Sequence, residues 1–450
     1  MHGLLQRIVC VLALLCGGAA VAQTSFKSAV DMALASSDRV KVAEAEEAHA
    51  LAALSEVKDA YVPSLSFSSG LAKGTGFPPG DPSTFKITAQ GLVMNSSQPQ
   101  FVRAAREGWR ASVLATENAR QQVILDTALT YFELQACERQ AAVLQEEEDA
   151  ANRLTQIMQD RESAGLESKL TLARTRLRAA QTRLKRLDVQ TRADVLTEHL
   201  ASLTGADPQS LRKLSDSIPA FPALLPPESA KLSAVDANLG LKSAYQEAKS
   251  KQYFAKGQHK VNFRPEIDLL LQYGYLYDFN DYSQYYSTRL PPSNAVAGVQ
   301  ISVPLFNRAQ DAKAREADAD AVKAVHQADL QRLQVNENVV QLRRALEQTD
   351  AQAEVARLQH EISADNLQAL DLRAQQGGDN SAAAITPADT EGAKIEERGL
   401  LADSIEADFE HTKAELEWMN LVGTLDDWAG ASVKPTAAAA THIQPAAINP

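Results

Sequence analysis

The sequence predicts a mainly α-helical protein with a transmembrane β-barrel portion, built from a duplicated helix–strand–strand–helix–helix unit. Three observations carry that expectation. The composition is rich in Ala, Leu, Gln, Glu and Arg and holds only 6% aromatics, the balance of extended helices rather than of a thick globular core. Strand-like sequence is confined to four stretches of about 9–11 residues, the length that crosses a bilayer at a tilt. One order of elements occurs twice in the 450 residues, with a period of about 200 residues that excludes the short solenoid repeats.

Residues 1–22 read as an export signal. Arg7 precedes an apolar run over 8–16, and Ala20-Val21-Ala22 forms a small-x-small cleavage pattern before Gln23. The run is too short to span a membrane. Lipidation at Cys16 is disfavoured by Leu15, which stands where a small residue is expected. With 1–22 removed, Cys137 is the one remaining cysteine, so no intrachain disulfide is expected. No later run is long and apolar enough for a transmembrane helix, so any membrane crossing must use strands.

The first structural repeat covers 23–217. A helix over 26–60 is stopped by Pro63, and "VPSLSFSSGL" (62–71) is the first strand, with Leu65, Phe67 and Ser69 on one face. The turn "KGTGFPPGDPST" leads to the second strand, "FKITAQGLVMN" (85–95). Unbroken helical sequence then runs over 102–162, about 90 Å at helical rise. "SAGLES" breaks it, and a return helix from Lys169 ends at Gly205, placed as a C-cap. A proline-rich linker (218–231) follows. The second repeat (232–430) has a helix over 232–256, strands at 265–277 and 296–304, a long helix to Gln375, and a return helix ending at Gly423. Residues 431–450 are a low-complexity tail, expected to be disordered.

Six of the ten tyrosines lie in "YGYLYDFNDYSQYY". Tyr273, Tyr275 and Tyr277 in particular suit a bilayer interface, where an apolar ring meets a wet hydroxyl. Four strands cannot close a barrel around water, and an open edge in lipid is costly, so several chains must pool their strands. Three chains give a homotrimer with twelve strands; two or four would also close. Pro63, Pro99, Pro265 and Pro304 stand at the four strand–helix junctions, where proline's fixed φ and missing donor fit the end of a ladder. They are read as seams between barrel and helical tube.

The net charge of −12 and the lack of a long basic block argue against nucleic acid. There is no phosphate-binding loop, paired-Cys or HExxH metal spacing, or GxSxG, so neither an enzyme nor a cofactor site is expected. His326, His360 and His411 lie on charged helices and are expected to be solvated. Cys137, among apolar residues, is expected to be packed.

Over residues 26–423 the chain resembles the TolC-like outer-membrane efflux protein family. The resemblance rests on "AVDMALASSDRV" with "VPSLSF", on "VPLFN" entering a helix, on "TALTYFELQA", on "SAGLESKLTLARTRL", and on "SLTG" and "NLVG" closing the two halves. It implies a trimer with a twelve-strand barrel in the outer membrane of a Gram-negative envelope and a periplasmic α-helical tunnel. It also implies a passive exit duct for efflux or type I secretion, docked on a periplasmic adaptor protein and an inner-membrane transporter. The family usually places an Asp just after each hairpin tip, near the periplasmic aperture. Asp389 matches in the second half; in the first half Lys169 or Thr171 matches, according to the alignment of the tip, and neither is acidic. Asp379 and Glu391 are further aperture candidates on the longer second tip. The competing reading is a periplasmic coiled-coil scaffold without a pore, which has no use for four bilayer-length strands.

Overall fold

The computed structural model describes residues 25–71, 84–212, 221–222, 227–262, 264–276, 293–375 and 386–430. The expected signal segment, Tyr277, Asp379 and residues 431–450 lie outside them. In chain order the elements are α1 (Phe26–Ser36), α2 (Asp38–Asp59), β1 (Ser64–Gly70), β2 (Thr84–Asn95), α3 (Gln98–Ser163) and α4 (Lys169–Thr204). A 3-10 turn (Ser210–Arg212), α5 (Pro227–Ala237) and α6 (Leu239–His259) follow. The chain continues through β3 (Glu266–Leu276), β4 (Ser293–Ser302), α7 (Arg308–Gln375), α8 (Pro387–Val422) and a last turn, α9 (Leu425–Trp428). Each expected strand is present within a few residues of its expected bounds. Two expected helices are each divided. Ser37 separates α1 from α2, and Asn238 caps α6 by accepting from the Leu241 N–H at 2.7 Å.

The return helices obey one rule. Both α4 and α8 are 36 residues long and stop at a glycine in the left-handed region, Gly205 (φ 68°) and Gly423 (φ 78°). Only a residue without Cβ takes that conformation freely.

The chain forms two compact units, each drawing on both repeats: residues 1–40, 119–237 and 335–450 in one, 41–118 and 238–334 in the other. In the first, α1, the later part of α3, α4, α8 and α9 bury Phe26, Tyr131, Leu134, Leu200, Leu416 and Leu425. Phe26 meets Tyr131 edge-on at 5.6 Å, and Phe221 stacks on Trp428 at 5.1 Å.

The second unit holds the sheet, α2, α6 and the adjoining parts of α3 and α7. Helix α6 lies close against α3. Ser243 and Ser250 donate their hydroxyls to the Ala111 and Ala104 carbonyls, both at 2.8 Å. At Gly257 the approach is tightest, since a Cβ there would fall 2.5 Å from the Phe101 ring. Gly257→Ala should therefore lower stability by about 1 kcal/mol, the overpacking cost exceeding the helix-propensity gain. Thermal unfolding of Gly257→Ala alone and combined with Phe101→Leu checks this; the double variant should recover the loss.

Candidate channel wall and aperture

The four strands form one antiparallel sheet in the order β1-β2-β3-β4. Register sorts the side chains. Tyr275 lies between Phe85 and Ser293, Tyr273 between Ile87 and Ala295, and Leu271 between Ala89 and Ala297. Leu65 and Phe67 join this face opposite Ala89 and Ile87, and Phe67 meets Phe85 edge-on at 4.6 Å. Because alternate residues face opposite ways, this face is apolar over most of its height. The other face is mostly polar, with Ser64, Ser66, Thr88, Gln90, Gln272 and Gln300, Lys86 toward the loop end and Asp268 toward the helical end, interrupted by Leu92, Leu270, Leu276 and Val296. One wall thus suits lipid and the other suits water.

The junction prolines occupy defined places. Pro63 and Pro265 each stand one residue before a strand, Pro99 lies in the first turn of α3, and Pro304 falls between β4 and α7. Pro63 rests on β2 at Gly91, where a Cβ would come 2.9 Å from the Pro63 Cα. The Asn95 side chain accepts from the Ser97 N–H and hydroxyl at 2.8 and 2.6 Å, turning β2 into α3. Asn307 accepts from the Gln310 N–H at 3.1 Å and starts α7.

Both hairpin tips return through a hydroxyl residue at the helix start. Ser168 accepts from the Thr171 N–H at 3.0 Å and opens α4. Thr386 opens α8, and its N–H and hydroxyl both donate to one oxygen of Asp389, at 2.9 and 2.8 Å. Caps at either end set the alignment: Thr171 and Asp389 are both the third helical residue, so Thr171 is the first-half counterpart of Asp389. Lys169, exposed at the first helical position, corresponds to Pro387. The Thr386 backbone and hydroxyl bonds, with Arg161 nearby, hold the Asp389 carboxyl below its ordinary range, so it is charged at neutral pH. Glu391 is differently placed. Mostly buried, it accepts from Arg153 of α3 at 3.1 Å and pairs with Lys394 at 3.3 Å. The three-residue spacings Ser168–Thr171 and Thr386–Asp389 are capping signals visible in the sequence; the Arg153–Glu391 pair, between distant segments, is not.

Two histidines depart from expectation. His360 lies 3.0 Å from the buried Glu397, and His411 lies 3.2 Å from the Thr349 hydroxyl, so both are part-buried links between α7 and α8 rather than solvated side chains. Partners far apart in sequence create these links. His326 is exposed as expected. Cys137 is packed against Leu144, Val189 and Ala402, as expected, and burial pushes its thiol pKa up, which disfavours the thiolate. Among the described residues no helix is long and apolar enough to cross a membrane.

The sequence model of the outer membrane efflux protein family matches residues 29–206. No curated protein matches the sequence. Among solved structures, the outer-membrane channel OprN superposes with a TM-score of 0.72 at 16% identity, over 90% of each chain. The CmeC outer membrane channel of Campylobacter jejuni gives 0.72 at 16%, over 89% of this chain and 85% of its own. The outer membrane protein VceC of Vibrio cholerae gives 0.70 at 16%, over 88% and 96%. At such identities the likeness is one of fold. The chain is thus similar to outer membrane efflux proteins, in sequence over its first repeat and in fold over nearly its whole length.

Proposed function

We infer that the chain is one subunit of a trimeric exit duct, carrying solutes passively from the periplasm through the outer membrane. The two-faced sheet with open outer strands is the observation that carries this reading. The sheet order leaves β1 and β4 at its edges. Unpaired ladder groups in lipid are costly. With an even number of antiparallel strands per chain, β4 of one subunit runs antiparallel to β1 of the next, so three subunits close twelve strands. In the helical unit, α4 exposes Leu170, Leu177 and Leu184 at seven-residue spacing, beside Arg174 and Arg183. On α7, Val355, Leu358 and Ile362 are exposed beside Glu354 and Glu361. These two stripes match in apolarity and oppose in charge, which suits packing of α4 against α7 of a second copy. A periplasmic adaptor and an inner-membrane transporter complete the pathway, engaged through the α3–α4 and α7–α8 tips.

Purified protein in planar lipid bilayers should give stepwise conductance and remain with the outer-membrane fraction. Recovery in the soluble periplasmic fraction without conductance would instead support the scaffold reading.

Asp389 is placed at the aperture in this reading, three copies forming an acidic ring of the kind that selects cations. Thr171 gives the ring no second charge, and the Arg153 pair withdraws Glu391 from it. Asp389→Asn keeps a carbonyl oxygen for the Thr386 donors while removing the charge. Cation selectivity and block by multivalent cations should fall by several-fold, with barrel assembly unchanged. Unaltered selectivity and block would remove Asp389 from the aperture.

A further inference from the structure

Helix α3 carries three consecutive glutamates, Glu146, Glu147 and Glu148, and they point to different partners. Glu146 pairs with Arg398 of α8 at 2.9 Å, and Glu148 with Arg186 of α4. Glu147 has no such cation. It is 8% exposed. One carboxylate oxygen accepts from the Thr182 hydroxyl of α4 at 3.0 Å, and the other is buried with no hydrogen-bond partner. Opposite it, α8 presents Gly399, where even a Cβ would lie 3.7 Å from the orphaned oxygen. The charged groups facing it are Arg178 and Lys185 from α4 and Asp403 from α8, and Lys185 and Asp403 are spent on each other at 2.6 Å.

An ionised carboxylate with an unpaired oxygen in such a place carries an uncompensated desolvation cost, which neutralisation removes. We propose that Glu147 is a reversible proton-binding site of the helical wall, whose neutral form packs among α3, α4 and α8 better than its ionised form. Burial is the largest influence on this carboxyl and raises its pKa; Thr182, Lys185 and Arg178 oppose it, and Asp403 adds to it. The sign follows. Between the ordinary glutamate pKa and the raised one the folded protein holds a proton that the unfolded chain has lost, so stability falls as pH rises through that window. Acidification therefore stabilises the packing of α3, α4 and α8 around this carboxyl. This goes beyond the duct reading, and the burial that carries it lies within a single chain.

The test is thermal unfolding of the assembled protein in detergent between about pH 8 and pH 4, for wild type, Glu147→Gln and Thr182→Val. Relative to wild type, Glu147→Gln should be more stable at the alkaline end, the difference shrinking towards acid by about tenfold in the folding constant for each unit of the shift. Thr182→Val removes a donor that favours the ionised form and should move the transition to higher pH. Glu138, Glu415 and Asp426, also raised by burial, are common to all three proteins and cancel in the differences. Curves for Glu147→Gln and Thr182→Val both parallel to wild type overturn the proposal. If Glu147→Gln does not fold, Thr182→Val decides it alone, an unmoved transition counting against.

Discussion

Leu271→Arg should abolish outer-membrane assembly, while Gln272→Arg, one residue further along β3, should leave it nearly intact. Leu271 lies at the middle of the strand on the apolar face, between Ala89 and Ala297; Gln272 lies on the polar face, between Thr88 and Val296. A cation facing lipid at mid-depth costs about 2–4 kcal/mol per chain, and the cost recurs in every subunit. On the water-lined face the same side chain reaches solvent. The contrast is what makes the experiment decisive, since both variants carry the same charge in the same strand. Heat-modifiable assembled protein in outer-membrane fractions is the measurement. Tyr273→Asp and Tyr275→Asp should show smaller losses, because they lie closer to the loop end, where the interface tolerates charge better. Equal tolerance of Leu271→Arg and Gln272→Arg would mean that this sheet does not stand in lipid.

Leu177→Glu combined with Leu184→Glu should dissociate the assembly while leaving the subunit helical. Each leucine is about three-fifths exposed in the single chain (59% and 60%). Burying that surface against a second copy is worth about 1–2 kcal/mol per side chain. The substitutions remove that gain and place carboxylates against the acidic flank of α7, adding repulsion. The corresponding Leu177→Arg with Leu184→Arg should lose less, because arginine preserves the charge match. Native mass spectrometry gives the subunit count, and far-UV circular dichroism checks that the helices persist. If both pairs dissociate the assembly equally, the seam is apolar only. If neither does, α4 does not face a second copy.

Much of this protein was legible in its sequence because the determining signals are local. Strand alternation, helical composition and the glycines ending α4 and α8 act over a few residues, so the element order follows from reading along the chain. The resemblance to outer-membrane efflux proteins narrowed the expected subunit count to three and implied partners that no spacing alone supplied. Breaks at Ser37 and Asn238 escaped because serine and asparagine are compatible with both helix and cap, and the choice depends on what the flanking turns pack against.

What the tertiary structure alone decided is how distant segments meet. The duplication divides the chain lengthwise, yet the compact units divide it otherwise, each taking pieces of both repeats. The sequence offered Glu391 as a further aperture candidate; its pairing with Arg153, more than two hundred positions away, is visible only in the fold. Thr171 became the counterpart of Asp389 only when both ends of α4 and α8 were fixed by caps. Glu146, Glu147 and Glu148 are adjacent in sequence, and only the convergence of three helices leaves the middle carboxylate buried. Local preferences set each element by short-range sterics and hydrogen bonding; which charges are paired, buried or left alone is set by packing between elements, and no short window of sequence contains that information.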